Sequence, residues 1–164
     1  MIYSRGMSTL RPATPDDANT VADIWYRGWQ DGHLGNVPDE LLAIRTEESF
    51  WTRAAERVAD TTVAIVDGEV AGFVMLDGDE VEQVYVSAAH RGTGVAATLL
   101  AEAERLVKAN GHVRAWLAVA PGNTRARRFY ERNGWRDAGG FDYGAEIRGG
   151  TIPVPCRRYE KRVR

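Results

Sequence analysis

A single cysteine in 164 residues, Cys156, leaves the chain without an internal disulfide. A reducing, cytoplasmic setting is the expectation that follows. No apolar run approaches the roughly 20 residues needed to cross a bilayer. Met1 to Gly6 lack the apolar core of a signal peptide. Met7 reads as an alternative start, with residues 1–6 as an N-terminal extension. Neither sign of charge is in excess: 21 Lys and Arg against 23 Asp and Glu give a net charge of −2. With no global field to attract them, neither nucleic acid nor membrane is expected as a partner. His33 has no neighbouring ligand at metal-site spacing, and no metal is expected. No repeat, low-complexity tract or Gly/Ser linker divides the sequence, so residues 7–164 are expected to form one domain.

What is there alternates between helical and strand patterns. Thr9 to Ala13 reads as a short strand, and Thr14-Pro15-Asp16-Asp17 as a helix start with a capping residue, proline and acids in the first turn. Val21, Ile24, Trp25, Gly28 and Trp29 make one stripe of a helix running to about Gln30. A loop over Gly32 to Pro38 and a second helical region from Asp39 to about Val58, bent near Thr46, follow. Thr62–Val66 and Val70–Leu76, joined by Asp67-Gly68, read as a hairpin. Glu80–Val86 is a third strand, Val95–Asn110 a helix, Val113–Val119 a strand, and the segment from Pro121 to Arg132 a helix with its entry turn. Trp135–Tyr143 and Ile152–Lys161 read as a closing strand pair. The order predicts a mixed sheet with helices on its faces.

Between the third strand and its helix lies Arg91-Gly92-Thr93-Gly94-Val95-Ala96. The glycines let backbone N–H groups converge without Cβ obstruction, at a helix N-terminus whose dipole favours negative charge. Three readings fit these residues: a plain flexible turn, a dinucleotide cradle of G-x-G-x-x-A type, or a coenzyme A pyrophosphate site. Against the dinucleotide stand the intervening Ser87–Arg91 and the lack of an acid after the strand ending at Val119. No Gly-Lys-Ser/Thr follows, which excludes a nucleotide triphosphate loop.

The next helix carries Asn123, Ala126, Phe129, Tyr130 and Gly134, with Trp135 after the glycine. Here the chain resembles the GCN5-related N-acetyltransferase (GNAT) superfamily. The family's Gln/Arg-x-x-Gly-x-Gly/Ala motif is matched by Arg91 to Ala96 after Val84-Tyr85-Val86. Its Asn-x-x-Ala-x-x-Phe-Tyr-x-x-x-Gly-Phe pattern is matched from Asn123, with Trp135 replacing Phe. The closest resemblance spans about Glu80 to Trp135. It implies an α/β (α+β) single domain, with a mostly antiparallel mixed sheet flanked by helices and splayed central strands. It implies acetyl-CoA as co-substrate and transfer of the acetyl group to a primary amine by direct attack on the thioester. Val84, Tyr85 and Val86 would hold the pantetheine arm and polarise the thioester through main chain, Asn123 would bond the same arm, and Tyr130 would protonate the leaving sulfur. Asn123 and Tyr130 are two helical turns apart and so face one side. The acceptor would be a small-molecule or peptide amine, and dimerisation is common in the family.

Glu80 and Glu82 fall on the strand before Val84, and period-two geometry predicts that they share its face with Val84 and Val86. Two acids so placed raise each other's pKa toward that of a base near neutrality; a solvated strand edge is the alternative, and the choice between them stays open. Trp25, Trp29 and Gln30 are candidates for the acceptor pocket, with core packing the competing reading of the tryptophans. Arg127 is a candidate for a coenzyme phosphate, with a solvated helix arginine the alternative. Cys156 reads as an inert buried thiol rather than an acyl carrier. A non-catalytic acyl-CoA sensor on the same fold and a dinucleotide oxidoreductase complete the alternatives.

Overall fold

The computed structural model describes residues 8–164 apart from Leu34 and Asn36; the reading of residues 1–6 as an extension lies outside them. Strand β1 (Thr9–Pro12) leads through a 3-10 turn into α1 (Ala18–His33), followed by α2 (Asp39–Ile44) and α3 (Glu47–Glu56). Then come β2 (Thr61–Val66), β3 (Glu69–Asp77), β4 (Glu80–Val86), α4 (Val95–Ala109), β5 (Arg114–Val119), α5 (Thr124–Arg132), β6 (Arg136–Ile147) and β7 (Gly150–Arg162). The seven strands form one sheet in the order β1-β2-β3-β4-β5-β7-β6. Every neighbouring pair is antiparallel except β4 and β5.

The two faces bury separate cores. On one face α4 sets Val95, Leu99, Leu100, Ala103 and Val107 against Val74, Val81, Leu117 and Tyr159. On the other, α1 and α3 set Val21, Trp25, Trp29 and Phe50 against Val63, Phe73 and Met75. Fully burying such aliphatic and aromatic side chains contributes about 1.5–3 kcal/mol each. The β2–β3 hairpin turns at Asp67 and Gly68, with φ of 51° and 80°, the paired left-handed conformation that suits a two-residue connection.

Two expectations from pattern need correction. Helix α1 runs to His33, so Gln30 is not its end and Gly32 is helical rather than loop. The last turn is held by His33, which stacks on Trp29 at 5.4 Å and places Nδ1 3.1 Å from the Trp29 carbonyl. Glu80 and Glu82 do not share a face with Val84 and Val86. The β3–β4 register shifts so that Leu76 pairs with Val81 but Met75 with Gln83, leaving Glu82 as an extra, bulged residue. The shift sends Val81, Val84 and Val86 toward α4, whereas Tyr85 packs toward α1.

Gly28 is the notch in α1 that admits Tyr85. A Cβ there would lie 2.3 Å from Tyr85 Cδ1 and 2.9 Å from Cε1. Helix propensity favours alanine over glycine by only about 1 kcal/mol, and overpacking costs about 1–3 kcal/mol. With contact this short the clash prevails. Gly28→Ala is expected to destabilise the protein by about 1–2 kcal/mol, read as a lower denaturant midpoint at unchanged slope.

Candidate active site

Strands β4 and β5 touch through one pair, Glu80 with Trp116, where the Trp116 N–H donates to the Asp79 carbonyl at 3.1 Å. Beyond it they separate. The Ser87 N–H donates to the Ala71 carbonyl at 2.8 Å, on the β3 side. By strand alternation Tyr85 also pairs with β3, and the main-chain groups of Val84 and Val86 point the other way, into the opening. A cavity of about 220 Å³ occupies this gap. Val84, Tyr85, Ala118, Asn123 and Tyr130 line it, together with Trp29, Arg45, Arg53, Glu80 and Tyr143.

At the mouth of the opening, Gly92 and Gly94 have φ of 77° and 87°, and Gly94 is the N-cap of α4 with no side-chain cap of its own. No atom lies within 4 Å of where either Cβ would stand, so backbone conformation demands the glycines and leaves their surroundings open to a ligand. Val95 is buried and fixes the first turn, with half-buried Ala96 beside it. Thr93 Oγ1 donates to the His90 carbonyl. Arg91 is ion-paired with Asp31 of α1 at 2.7 Å, tying the turn to the opposite layer. These features fit a pyrophosphate at the helix N-terminus and an extended thioester arm between the strands.

The acids are divided by their partners. Glu82 accepts from Arg57 Nη1 at both oxygens, at 2.8 and 2.7 Å, while Arg57 Nη2 donates to the Leu76 carbonyl at 2.9 Å. Glu80 is 7% exposed and accepts one hydrogen bond, 2.7 Å from the Tyr143 hydroxyl. Its oxygens lie within 4.8 Å of those of Asp77 and Glu82. Burial first, then the charges of Glu82 and Asp77, push the Glu80 carboxyl up to about 7 despite the Tyr143 hydrogen bond. The mutual repulsion inferred from spacing is therefore present at Glu80 but secondary to desolvation.

Across the opening, Asn123 caps α5 by accepting from the Ala126 N–H at 3.2 Å. Tyr130 packs against Phe129, Trp135 and Tyr159 with ring centroids at 5.4, 6.3 and 6.1 Å. Burial pushes its hydroxyl up to about 12, so it is protonated throughout the neutral range. Tyr85 is raised further, by burial and by the nearby Tyr130.

Several sequence candidates take other places. Arg127 donates to the Tyr159 hydroxyl at 3.2 Å, the Pro121 carbonyl at 2.9 Å and Asp137 at 3.3 Å, so it clamps α5 to the terminal hairpin instead of facing a phosphate. Trp25 is 1% exposed, packs on Phe50 and Phe73, and does not line the cavity. Gln30 donates to the Tyr26 hydroxyl at 2.9 Å and is likewise outside it. Trp29 does line it. Cys156 lines it too, but burial pushes its thiol up to about 11. Arg45, Arg53, Arg57 and Tyr143 went unnoticed in the sequence; they reach the cavity or its acids from α2, α3 and β6, and no local motif marks them.

A sheet split between parallel strands, with a glycine turn at a helix N-terminus beside the split, is the α/β arrangement that the sequence resemblance implies. The comparisons agree. The profile of the Acetyltransferase (GNAT) family matches residues 19–135. Uncharacterized N-acetyltransferases of Mycobacterium tuberculosis and Mycobacterium bovis are 35% identical over 109 residues, 61% of this chain and 70% of theirs. In fold, the chain is similar to a GCN5-related N-acetyltransferase from Rhodopseudomonas palustris, with TM-score 0.74, 23% identity and 99% of each chain covered. It is also similar to the PaiA N-acetyltransferase of Thermoplasma acidophilum in complex with coenzyme A, with TM-score 0.70, 18% identity, and 95% of this chain and 99% of that one covered. The chain belongs to the acetyltransferase (GNAT) family. Acetyl-CoA is the co-substrate of that family.

Proposed function

We propose that the protein is an N-acetyltransferase in which Glu80 is the general base, Tyr130 the general acid, and the β4 main chain the oxyanion donor. The observation that carries this reading is the cavity at the β4–β5 split, which a carboxyl poised near neutrality and a buried, protonated tyrosine hydroxyl both line. Val84 and Val86 supply N–H groups toward the opening. One directed at the thioester carbonyl stabilises the charge that develops on its oxygen. Glu80, ionised in part at neutral pH, removes a proton from the acceptor's ammonium, directly or through a water, so that the free amine attacks the carbonyl carbon. As the C–S bond breaks, Tyr130 gives a proton to the departing sulfur, and the extra proton on the attacking nitrogen returns to the tyrosinate through water, leaving a neutral amide and a free thiol. Glu82, held by Arg57, lies beside Glu80 and adds to the effect of burial on its pKa. Gly92, Gly94 and the first turn of α4 receive the pyrophosphate; Asn123, whose Oδ1 caps α5, offers its amide N–H groups to the pantetheine arm.

The test is release of free thiol from acetyl-CoA with a panel of primary amines, run beside thermal shift. Acetyl-CoA, and not NAD or NADP, is expected to raise the melting temperature. At least one amine is expected to release thiol. Binding of acetyl-CoA with no release from any amine would leave a non-catalytic acyl-CoA sensor in place of an enzyme.

A further inference from the structure

Arg45 and Arg53 line the cavity and Arg57 holds its acid Glu82; of the three, Arg53 has a donor without a partner among the described residues. Arg57 is committed to Glu82, Asp60 and the Leu76 carbonyl. Arg45 donates to the Glu146 carbonyl. Arg53 lies over the Trp25 ring at 4.3 Å and the Phe50 ring at 5.2 Å. Its Nη1 is fully buried and has no hydrogen-bond partner among the described residues, and its side chain lines the cavity together with that of Arg45. A guanidinium has five N–H donors and no acceptor, so a buried one without a partner oxygen is a costly arrangement. Aromatic stacking offsets part of that cost but saturates none of the donors. Burial, with Arg45 second, pulls Arg53 down to about 10, which still leaves it charged at neutral pH. The cavity is thus lined by both signs of charge: the acids Glu80, Glu82 and Glu146, and the arginines Arg53 and Arg45, with the charges of Glu82 and Glu146 acting on Arg53 without a hydrogen bond to its Nη1 among the described residues.

From this geometry we infer that the acceptor is a small amine that also carries a carboxylate, a free amino acid being the simplest case, and that Arg53, assisted by Arg45, binds that carboxylate. The inference rests on the acetyltransferase reading and narrows it. A planar carboxylate matches the guanidinium fork, while the ammonium of the same molecule is drawn to Glu80. The cavity's modest volume favours a compact acceptor over a bulky one.

The experiment pairs each of the common amino acids with its own carboxamide, with acetyl-CoA and thiol release as the readout. At least one amino acid is expected to exceed its amide in kcat/KM by roughly ten- to hundredfold, the worth of a charge-assisted contact, with the difference mainly in KM. Arg53→Gln is expected to collapse that ratio. Arg53→Lys keeps the charge and the stem over Trp25 but loses the fork, so it carries the test if R53Q fails to fold, and an intermediate ratio is expected from it. Amides turned over as well as acids, or an unchanged ratio in R53K, would overturn the carboxylate site while leaving the acetyltransferase intact. If no amine releases thiol, the acetyltransferase reading fails, and the carboxylate site is then decided separately by titration of tryptophan fluorescence with the same pairs in the presence of coenzyme A. Preference for the acid there, lost in R53Q, supports the site; equal response to acid and amide overturns it.

Discussion

Tyr130→Phe is expected to lower kcat by about 10²–10⁴, with the KM for acetyl-CoA changed by no more than about twofold. The substitution removes one oxygen and leaves the ring, so the packing on Phe129, Trp135 and Tyr159 persists and the fold is undisturbed. The Tyr130 hydroxyl has burial as the cause of its raised pKa, with no hydrogen-bond acceptor for its proton among the described residues. A hydroxyl at about 12 does not hand its proton over in the ground state. It does so as negative charge builds on sulfur, which makes its contribution specific to the transition state and places the loss in kcat rather than KM. Tyr85 is the necessary control, because its ring lines the same cavity and it too lacks a strong partner. Tyr85→Phe is expected to cost far less, since Tyr85 is on β4, the strand assigned to the oxyanion. A thioester with a more acidic leaving thiol sharpens the test: Y130F should lose less with it than with acetyl-CoA, because such a thiolate departs without proton donation. Equal losses with both donors would remove Tyr130 as the acid.

Much of this arrangement is legible in the sequence because it depends on local rules. The stripe Val21, Ile24, Trp25, Gly28, Trp29 follows helical period and is buried as a unit. The glycines at 92 and 94 announce left-handed backbone, which both adopt. The separated central strands, which the resemblance implied, appear as a single β4–β5 pair. What stayed hidden depends on tertiary context. One bulged residue at Glu82 inverts the face assignment for the start of β4, and alternation alone does not reveal a bulge. Sequence spacing brought Glu80 and Glu82 together but did not tell them apart. Their difference comes from Arg57, 25 residues upstream, and Tyr143, 63 residues downstream. Sequence alone leaves Arg127 either a phosphate candidate or a solvated helix arginine, because its partners Tyr159 and Asp137 arrive from the terminal hairpin. Arg53 has no motif at all, and only the fold places it beside the cavity with its Nη1 buried and without a hydrogen-bond partner among the described residues.

Glu80→Gln is expected to make the enzyme slower and the protein more stable above neutrality, two effects of one carboxyl. Activity comes first. The wild-type rate should rise with pH through an inflection near 7, as Glu80 loses its proton and becomes able to take one from the acceptor. The glutamine variant has no such base, so kcat/KM at pH 8 should fall by about 10²–10⁴ and this inflection should vanish. Stability follows from the same displacement. The carboxyl moves from an ordinary value of 4.5 in the unfolded chain to about 7 in the fold. The folded state therefore holds a proton that the unfolded state has released between those values. The stabilising contribution of the neutral acid is complete below pH 4.5 and is lost as pH rises through 7. A displacement of this size corresponds to roughly 3 kcal/mol at most. Glutamine stays neutral and can still accept from the Tyr143 hydroxyl, and it removes the repulsion between Glu80 and the charges of Glu82 and Asp77. The melting temperatures of wild type and variant should then nearly coincide at pH 4.5 and diverge toward pH 8, with the variant higher. A bound ammonium beside Glu80 would stabilise its ionised form and move the inflection below 7, so saturating acceptor should shift the kcat profile to lower pH than the kcat/KM profile. Melting curves that keep a constant gap at all pH values would show that Glu80 is not held near neutrality by its surroundings. A retained inflection in the variant would assign the base to another group.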